Sequence, residues 1–160
     1  MKRGKTLRIY LDTSVIGGCI DPEFSPWSNG LMKDFHEENF KPVISEVVTL
    51  ELEFAPDSIK RVYASLQRLG AEILQVSEKA LELADVYQER EILTPKYYDD
   101  GLHIAMATVA EVDVLVSWNF RHIVHLHKIR MFNAVNAELG YRSMEIYSPR
   151  EVSNYEIRDN

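Results

Sequence analysis

Cysteine is almost missing from this chain. Cys19 stands alone among 160 residues, which excludes an intramolecular disulfide. With no base patterned beside it, it reads as a structural thiol rather than a nucleophile. No run approaches the roughly 18 apolar residues of a membrane span. The basic start Met1-Lys2-Arg3-Gly4-Lys5 lacks the apolar stretch of a signal peptide, so a cytoplasmic protein without a membrane partner is expected. Gly-rich dinucleotide and P-loop motifs are absent. Basic residues are outnumbered, 18 to 25, for a net charge of −7, so any nucleic-acid contact must come from a local basic surface and not from overall charge. Hydrophobic residues at 46% and aromatics at 10% supply a proper core. No repeat or change of composition divides residues 1–160, and one domain is expected, with a loose tail after about residue 152.

Apolar runs alternate between two periods. Leu7–Leu11, Pro42–Ser45, Glu72–Val76, Val114–Ser117 and Met144–Tyr147 are short and β-prone, and the first, followed by Asp12-Thr13-Ser14 and Gly17-Gly18, fits a central strand turning into a helix or loop. Between them lie helical spacings at Trp27–Phe40, Glu46–Phe54, Ser58–Leu69 (Asp57 as N-cap, Gly70 as stop), Glu78–Glu91 (started by Ser77), Tyr98–Val112 and Phe120–Leu139, closed by Gly140. Glu46–Phe54 and Ser58–Leu69 are expected to cover one sheet face. The pattern predicts a three-layer α/β/α sandwich around a mainly parallel sheet of four to five strands.

Three acidic segments fall on separate elements: Asp12 after the first strand, Glu51 after the second, and Asp99-Asp100 opening an apolar helix. In an open α/β sheet the C-terminal lip of the strands is where ligands bind. Converging carboxylates repel one another unless a hard cation neutralises them, so Mg²⁺ or Mn²⁺ and phosphoryl chemistry are expected. Such an ion lowers the pKa of water and neutralises charge developing on a phosphodiester. For Asp12 taken alone, a helix cap or Asx-turn explains the residue equally well. Spacing does not choose among Glu46, Glu51 and Glu53. On a helix Asp99 and Asp100 point about 100° apart, so they cannot easily share one centre. A phosphatase of the haloacid-dehalogenase type would want an aspartate where Ser14 stands, and a receiver domain would want an acidic pair and a later lysine.

Taken in order, Leu11-Asp12-Thr13-Ser14, Ile44-Ser45 followed by Glu51-Leu52, Asp100-Gly101-Leu102-His103-Ile104-Ala105-Met106-Ala107 and Leu115-Val116-Ser117-Trp118-Asn119-Phe120-Arg121-His122-Ile123 resemble the PIN-domain (PilT N-terminal) family, metal-dependent ribonucleases that include VapC-like toxins of toxin–antitoxin pairs. The resemblance covers most of the chain. It implies that Asp12, Glu51 and Asp100 hold the metal, with Ser14 and Ser117 as supporting hydroxyls, and favours Glu51 over its neighbours and Asp100 over Asp99. It also implies an RNA substrate, an antitoxin partner and a homodimer. The chain departs at Asn119, where many members carry another aspartate; a neutral carbonyl there could still ligate or orient water. Asp99 and Asp113 rank behind as supporting acids, Asp99 also reading as a helix-start charge.

Arg121, His122, His125, His127, Lys128 and Arg130 form a basic stretch without an acid, a candidate RNA-phosphate contact at Arg121, His122, Lys128 and Arg130, or an ordinary solvated helix face. His103 reads as a packed, hydrogen-bonded residue, and the histidines lack a zinc spacing. Trp118 and Phe120 fit base stacking or core packing, with packing favoured by the adjacent strand. Trp27, Leu31 and Phe35 are interface candidates or core. Two functions are in play: a metal-dependent endoribonuclease cutting single-stranded RNA, and a catalytically weak or inactive PIN-like module held by a protein partner.

Overall fold

The computed structural model describes residues 5–153, and the expected tail lies beyond them. Five parallel strands form one sheet: β1 (Arg8–Leu11), β2 (Lys41–Ser45), β3 (Glu72–Leu74), β4 (Val114–Val116) and β5 (Glu145–Tyr147), in the order β3-β2-β1-β4-β5. β1 is central, as its apolar run predicts. The chain proceeds outward from β1 through β2 to β3, then returns to the other side of β1 for β4. That reversal opens a crevice at the carboxyl ends of β1 and β4, where ligands settle in such sheets.

The helices are α1 (Thr13–Gly18), α2 (Ser25–His36), α3 (Glu46–Glu51), α4 (Asp57–Arg68), α5 (Glu78–Glu89), α6 (Tyr98–Val109), α7 (Leu126–Glu138) and α8 (Pro149–Val152), with a 3₁₀ turn at Pro95–Tyr97. Side chains alternate across the sheet. Tyr10, Val43 and Leu115 face one core with α5, α6 and α7, while Ile9, Leu11, Ile44, Val114 and Val116 face the other with α1, α2 and α4. α6 is buried without a break from Gly101 to Thr108, matching its nearly unbroken apolar composition. In the first core Tyr87 and Phe132 pack edge to face at 4.9 Å. Ser77 caps α5 by accepting from the Ala80 amide.

Several expectations are corrected. The helix expected from Phe120 begins only at Leu126, because the Asn119 side chain and carbonyl capture the amides of residues 121–124 in a turn. Asp57 is the first helical residue and not its N-cap; Pro56 precedes it and no side chain caps the end. α3 does not lie on one face, since Val47 joins one core and Val48 the other. Leu31 and Phe35 are core residues, 0% and 3% exposed, and cannot form an interface; Trp27 packs partly buried against the same core. Cys19 is buried, its thiol pushed up to about 12 by burial, as a structural thiol should be.

Gly18 is closely approached from the second core. A Cβ there would meet Ser28 Oγ at 2.6 Å and the Trp118 indole at 2.7 Å, and that indole is stacked on Phe24 with ring centroids 4.2 Å apart. Alanine normally improves a helix position by about 1 kcal/mol over glycine, but overpacking against a held ring costs about 1–3 kcal/mol. Gly18→Ala is therefore expected to lower the melting temperature by a few degrees; a rise in thermal denaturation would show that Trp118 yields freely.

Candidate active site

Asp12 closes β1 and serves as N-cap of α1, accepting from the Val15 amide. The bland reading of this residue thus holds, but it is only part of the geometry. Asp12 is 4% exposed, and its oxygens accept from Ser14 Oγ and Ser117 Oγ, each at 2.6 Å. Each serine in turn accepts a backbone amide from the end of β4: Trp118 N donates to Ser14 Oγ and Asn119 N to Ser117 Oγ, both at 2.9 Å. The two hydroxyls relay backbone donors onto one buried carboxylate. Burial pushes the Asp12 carboxyl above the ordinary range, and the charge of His103 and these hydrogen bonds pull against it.

Glu51, at the end of α3, accepts from Thr13 Oγ1 at 2.8 Å and shares a 2.6 Å bond with His103 Nε2. The other His103 nitrogen bonds the Tyr10 hydroxyl at 2.6 Å, which bonds Ser45 Oγ at 2.7 Å. A row therefore runs from buried Ser45, Tyr10 and His103 out to Glu51 and Thr13 at the surface. Burial disfavours a charged His103, yet the Glu51 bond and the charges of Asp12, Glu51 and Asp100 outweigh it, so its pKa is raised. Glu51 is lowered: burial raises it, and the hydrogen bonds from His103 and Thr13 with the His103 charge more than reverse that. The two shifts describe one ion pair. Glu46 accepts from the Val76 amide, and of the exposed Glu51 and Glu53 it is Glu51 that bonds His103 at the lip.

Asp100 lies in the first turn of α6. Its carboxyl is pushed up to about 6, first by burial and then by Asp12 and Glu51, with His103 and Asn119 acting the other way. Asn119 Nδ2 donates to Asp100 Oδ2 at 3.3 Å, while Asn119 Oδ1 accepts the amides of Arg121 and His122. The Asn119 carbonyl, expected to be free for a ligand, has both acceptor positions taken, and its amide end faces Asp100. Asp99 is exposed on the helix start. Asp113 is placed at the opposite edge of the sheet, where its carboxylate accepts the Arg8 amide at 2.8 Å; it starts β4, and the site lies at the strand's other end.

Asp12, Glu51 and Asp100 thus reach the same lip from three elements, and the charges of the first two raise the third. Hard oxygen donors with no sulfur among them match Mg²⁺ or Mn²⁺ in chemistry. Their spacing is looser than a closed cage: among the described residues no group of three His, Cys, Asp or Glu side chains is placed to hold a metal, with one Glu51 oxygen turned onto His103. His103 is the residue whose place in the site the sequence did not disclose. A signal existed, since it stands three positions after Asp100 and so on the same helical face.

Of the basic stretch, Arg121, His122 and Lys128 line a cavity beside the lip. Arg130, His125 and His127 are exposed and away from it. Trp118 is core, 6% exposed, and Phe120 is 47% exposed.

No protein-family model matches the sequence, and no curated protein matches it. Solved structures do. A chain of VapBC2 from Rickettsia felis, bound to a DNA fragment from its promoter, matches with TM-score 0.55 and 16% identity, covering 89% of this chain and 98% of that one. A chain of DNA-bound VapBC from Salmonella typhimurium gives 0.55 and 15%, covering 90% and 99%. A toxin–antitoxin complex from Klebsiella pneumoniae gives 0.53 and 13%, covering 71% and 88%. The five-stranded parallel sheet flanked by helices is an α/β/α fold of PIN type. The likeness to the chains of these VapBC complexes is one of fold. No helix among the described residues is long and apolar enough to cross a membrane.

Proposed function

We propose that this chain is a metal-dependent endoribonuclease that hydrolyses phosphodiesters of single-stranded RNA, as the toxin of a toxin–antitoxin pair. The observation that carries the reading is the arrival of Asp12, Glu51 and Asp100, from β1, α3 and α6, at the crevice between β1 and β4. Asp12, Glu51 and Asp100 would hold Mg²⁺ or Mn²⁺, which, when bound, neutralises charge on the carboxylates and on the phosphodiester. The chain's own groups do the rest. Ser14 and Ser117 fix Asp12, His103 fixes Glu51, and the Asn119 amide steadies the ionised form of Asp100. Arg121 and Lys128 would take RNA phosphates. The likeness to VapBC complexes supports an antitoxin partner, and the family resemblance supports a homodimer.

A second reading is a PIN-like binding module with weak catalysis. One observation favours it: the position where many relatives carry an acid is Asn119, whose carbonyl is already spent on two backbone amides. Incubating a labelled single-stranded RNA pool with Mn²⁺, Mg²⁺ or EDTA separates the two. Cleavage is expected only with metal, and Asp12→Asn, which retains a cap for α1, should reduce it at least about 100-fold, the scale of losing one electrostatic contributor. Metal-independent cutting, or a fully active Asp12→Asn, would overturn the ribonuclease reading.

A further inference from the structure

A cavity of about 450 Å³ lies between α5, the Pro95–Tyr97 turn and the segment Arg121–Lys128. One side chain couples it to the acid cluster: Asn119 receives the Arg121 and His122 amides and donates to Asp100. Its lining combines three kinds of group. Tyr97 and His122, which both line it, are stacked on each other, their centroids 3.9 Å apart and planes 32° apart, so that a base would extend the stack from an outer ring face. Burial and then the charges of Arg121 and Lys128 push the His122 imidazole down, so the uncharged ring is the one that stacks. Arg121 and Lys128 supply two cations against the single carboxylate of Glu91, and Lys128 is held in place by donating to the Ile92 carbonyl. The third is Gln88. Its Nε2 is the one buried side-chain nitrogen or oxygen without a hydrogen-bond partner among the described residues, and Gln88 lines this cavity. Buried donors are nearly always paired, and a turn about the last side-chain bond of Gln88, which lines the cavity, would bring this one to a ligand atom there.

We infer that this cavity is a nucleotide subsite, with a base extending the Tyr97–His122 stack, its edge accepting from the Gln88 amide, and phosphate between Arg121 and Lys128. Every part has a match: bases stack on aromatic rings, guanidinium and ammonium groups take phosphate, and the volume suits a ligand of that size. An apolar ligand would leave the cations and Gln88 unanswered, and inorganic phosphate would leave the aromatic stack unused. The nucleotide is taken to be a residue of the RNA threaded past the acid cluster; that source rests on the ribonuclease reading, while the subsite itself does not.

Calorimetric titration of the protein in EDTA with AMP, GMP, CMP, UMP and inorganic phosphate tests it. At least one monophosphate is expected to bind about tenfold or more tighter than phosphate, and Tyr97→Leu and Gln88→Leu should each weaken it about fivefold or more. Gln88→Leu should melt no lower than the parent, since it removes an unsatisfied donor, so lost binding cannot be put down to unfolding. Equal affinity for phosphate and nucleotides, no measurable binding, or full binding in both variants overturns the subsite. In the RNA-pool assay, Gln88→Leu should change the base preference at the fragment ends. Cutting with an unchanged preference would remove the subsite and leave the ribonuclease standing. Nucleotide binding that the variants weaken, with no cutting in any metal, would do the reverse and assign the cavity to a free nucleotide.

Discussion

Asp100→Asn is expected to abolish metal-dependent cleavage, by about 10²-fold or more, while making the protein more stable at pH 7 in EDTA. The sign follows from the direction of the shift. The Asp100 carboxyl titrates at about 6 in the fold against 3.8 when unperturbed. Between those values the folded chain holds a proton that the unfolded chain has released, so the neutral carboxyl's stability is present at low pH and lost as pH rises from about 4 to 6. A displacement of that size is worth at most about 3 kcal/mol, and partial exposure screens it to about 1–2. Asparagine cannot ionise and escapes this cost. Thermal melts should coincide near pH 4 and separate by about 2–6 °C at pH 7, the variant higher. Mn²⁺ should raise the wild-type melt much more than the variant's. A variant that melts lower at pH 7 without metal would mean that ionised Asp100 stabilises the fold, and the acid cluster would have to be redrawn.

The second large effect concerns His103, 2% exposed and bonded on both ring nitrogens. Replacing it by leucine leaves Glu51 and Asp12 without their nearest cation. Breaking a buried ion pair costs about 3–5 kcal/mol, and because the Glu51 side chain is 34% exposed a loss of about 2–4 is expected. Its pH dependence runs opposite to that of Asp100. A base whose folded pKa is raised contributes fully below its ordinary value of 6.5 and loses that contribution as pH rises through the folded value. The penalty of His103→Leu in urea denaturation should therefore be largest at pH 6 and shrink on the alkaline side. His103→Gln, which keeps a hydrogen bond without the charge, separates the two contributions. Coupling should also be visible: His103→Leu on an Asp100→Asn background should cost less than on the wild type. Equal stability of His103→Leu and wild type at pH 6 would reduce the imidazole to a packing group.

The architecture was legible because strands and helices announce themselves by period. The apolar run of β1, the nearly all-apolar α6, the Ser77 cap and the stops at Gly70 and Gly140, both at positive φ, are local features that a sequence displays. The three acids and two serines could be named because each lies beside a strand end or helix start, and the PIN resemblance ranked Glu51 over Glu46 and Glu53. What failed was long-range or depended on side-chain direction. Asp113 adjoins β4 as Ser117 does, but at the other end, a distinction that composition near a strand does not make. Leu31 and Phe35 look alike as core or interface until α2 has a neighbour. The helix expected at Phe120 was lost to Asn119, whose side chain competes for the amides a helix would need. His103 was legible as packed and hydrogen-bonded, but its partners come from β1 and α3, far away in the chain.

The serine relay at the crevice joins residues 105 positions apart, Ser117 to Asp12. A chain emerging from the ribosome therefore carries Asp12 well before the Ser117 hydroxyl, Asp100 and Asn119 follow it. Such contacts of high sequence separation form late and cooperatively. A chain that has not yet reached Ser117 therefore holds Asp12 without the hydroxyl that fixes it, and the crevice becomes a site only when its distant halves have met.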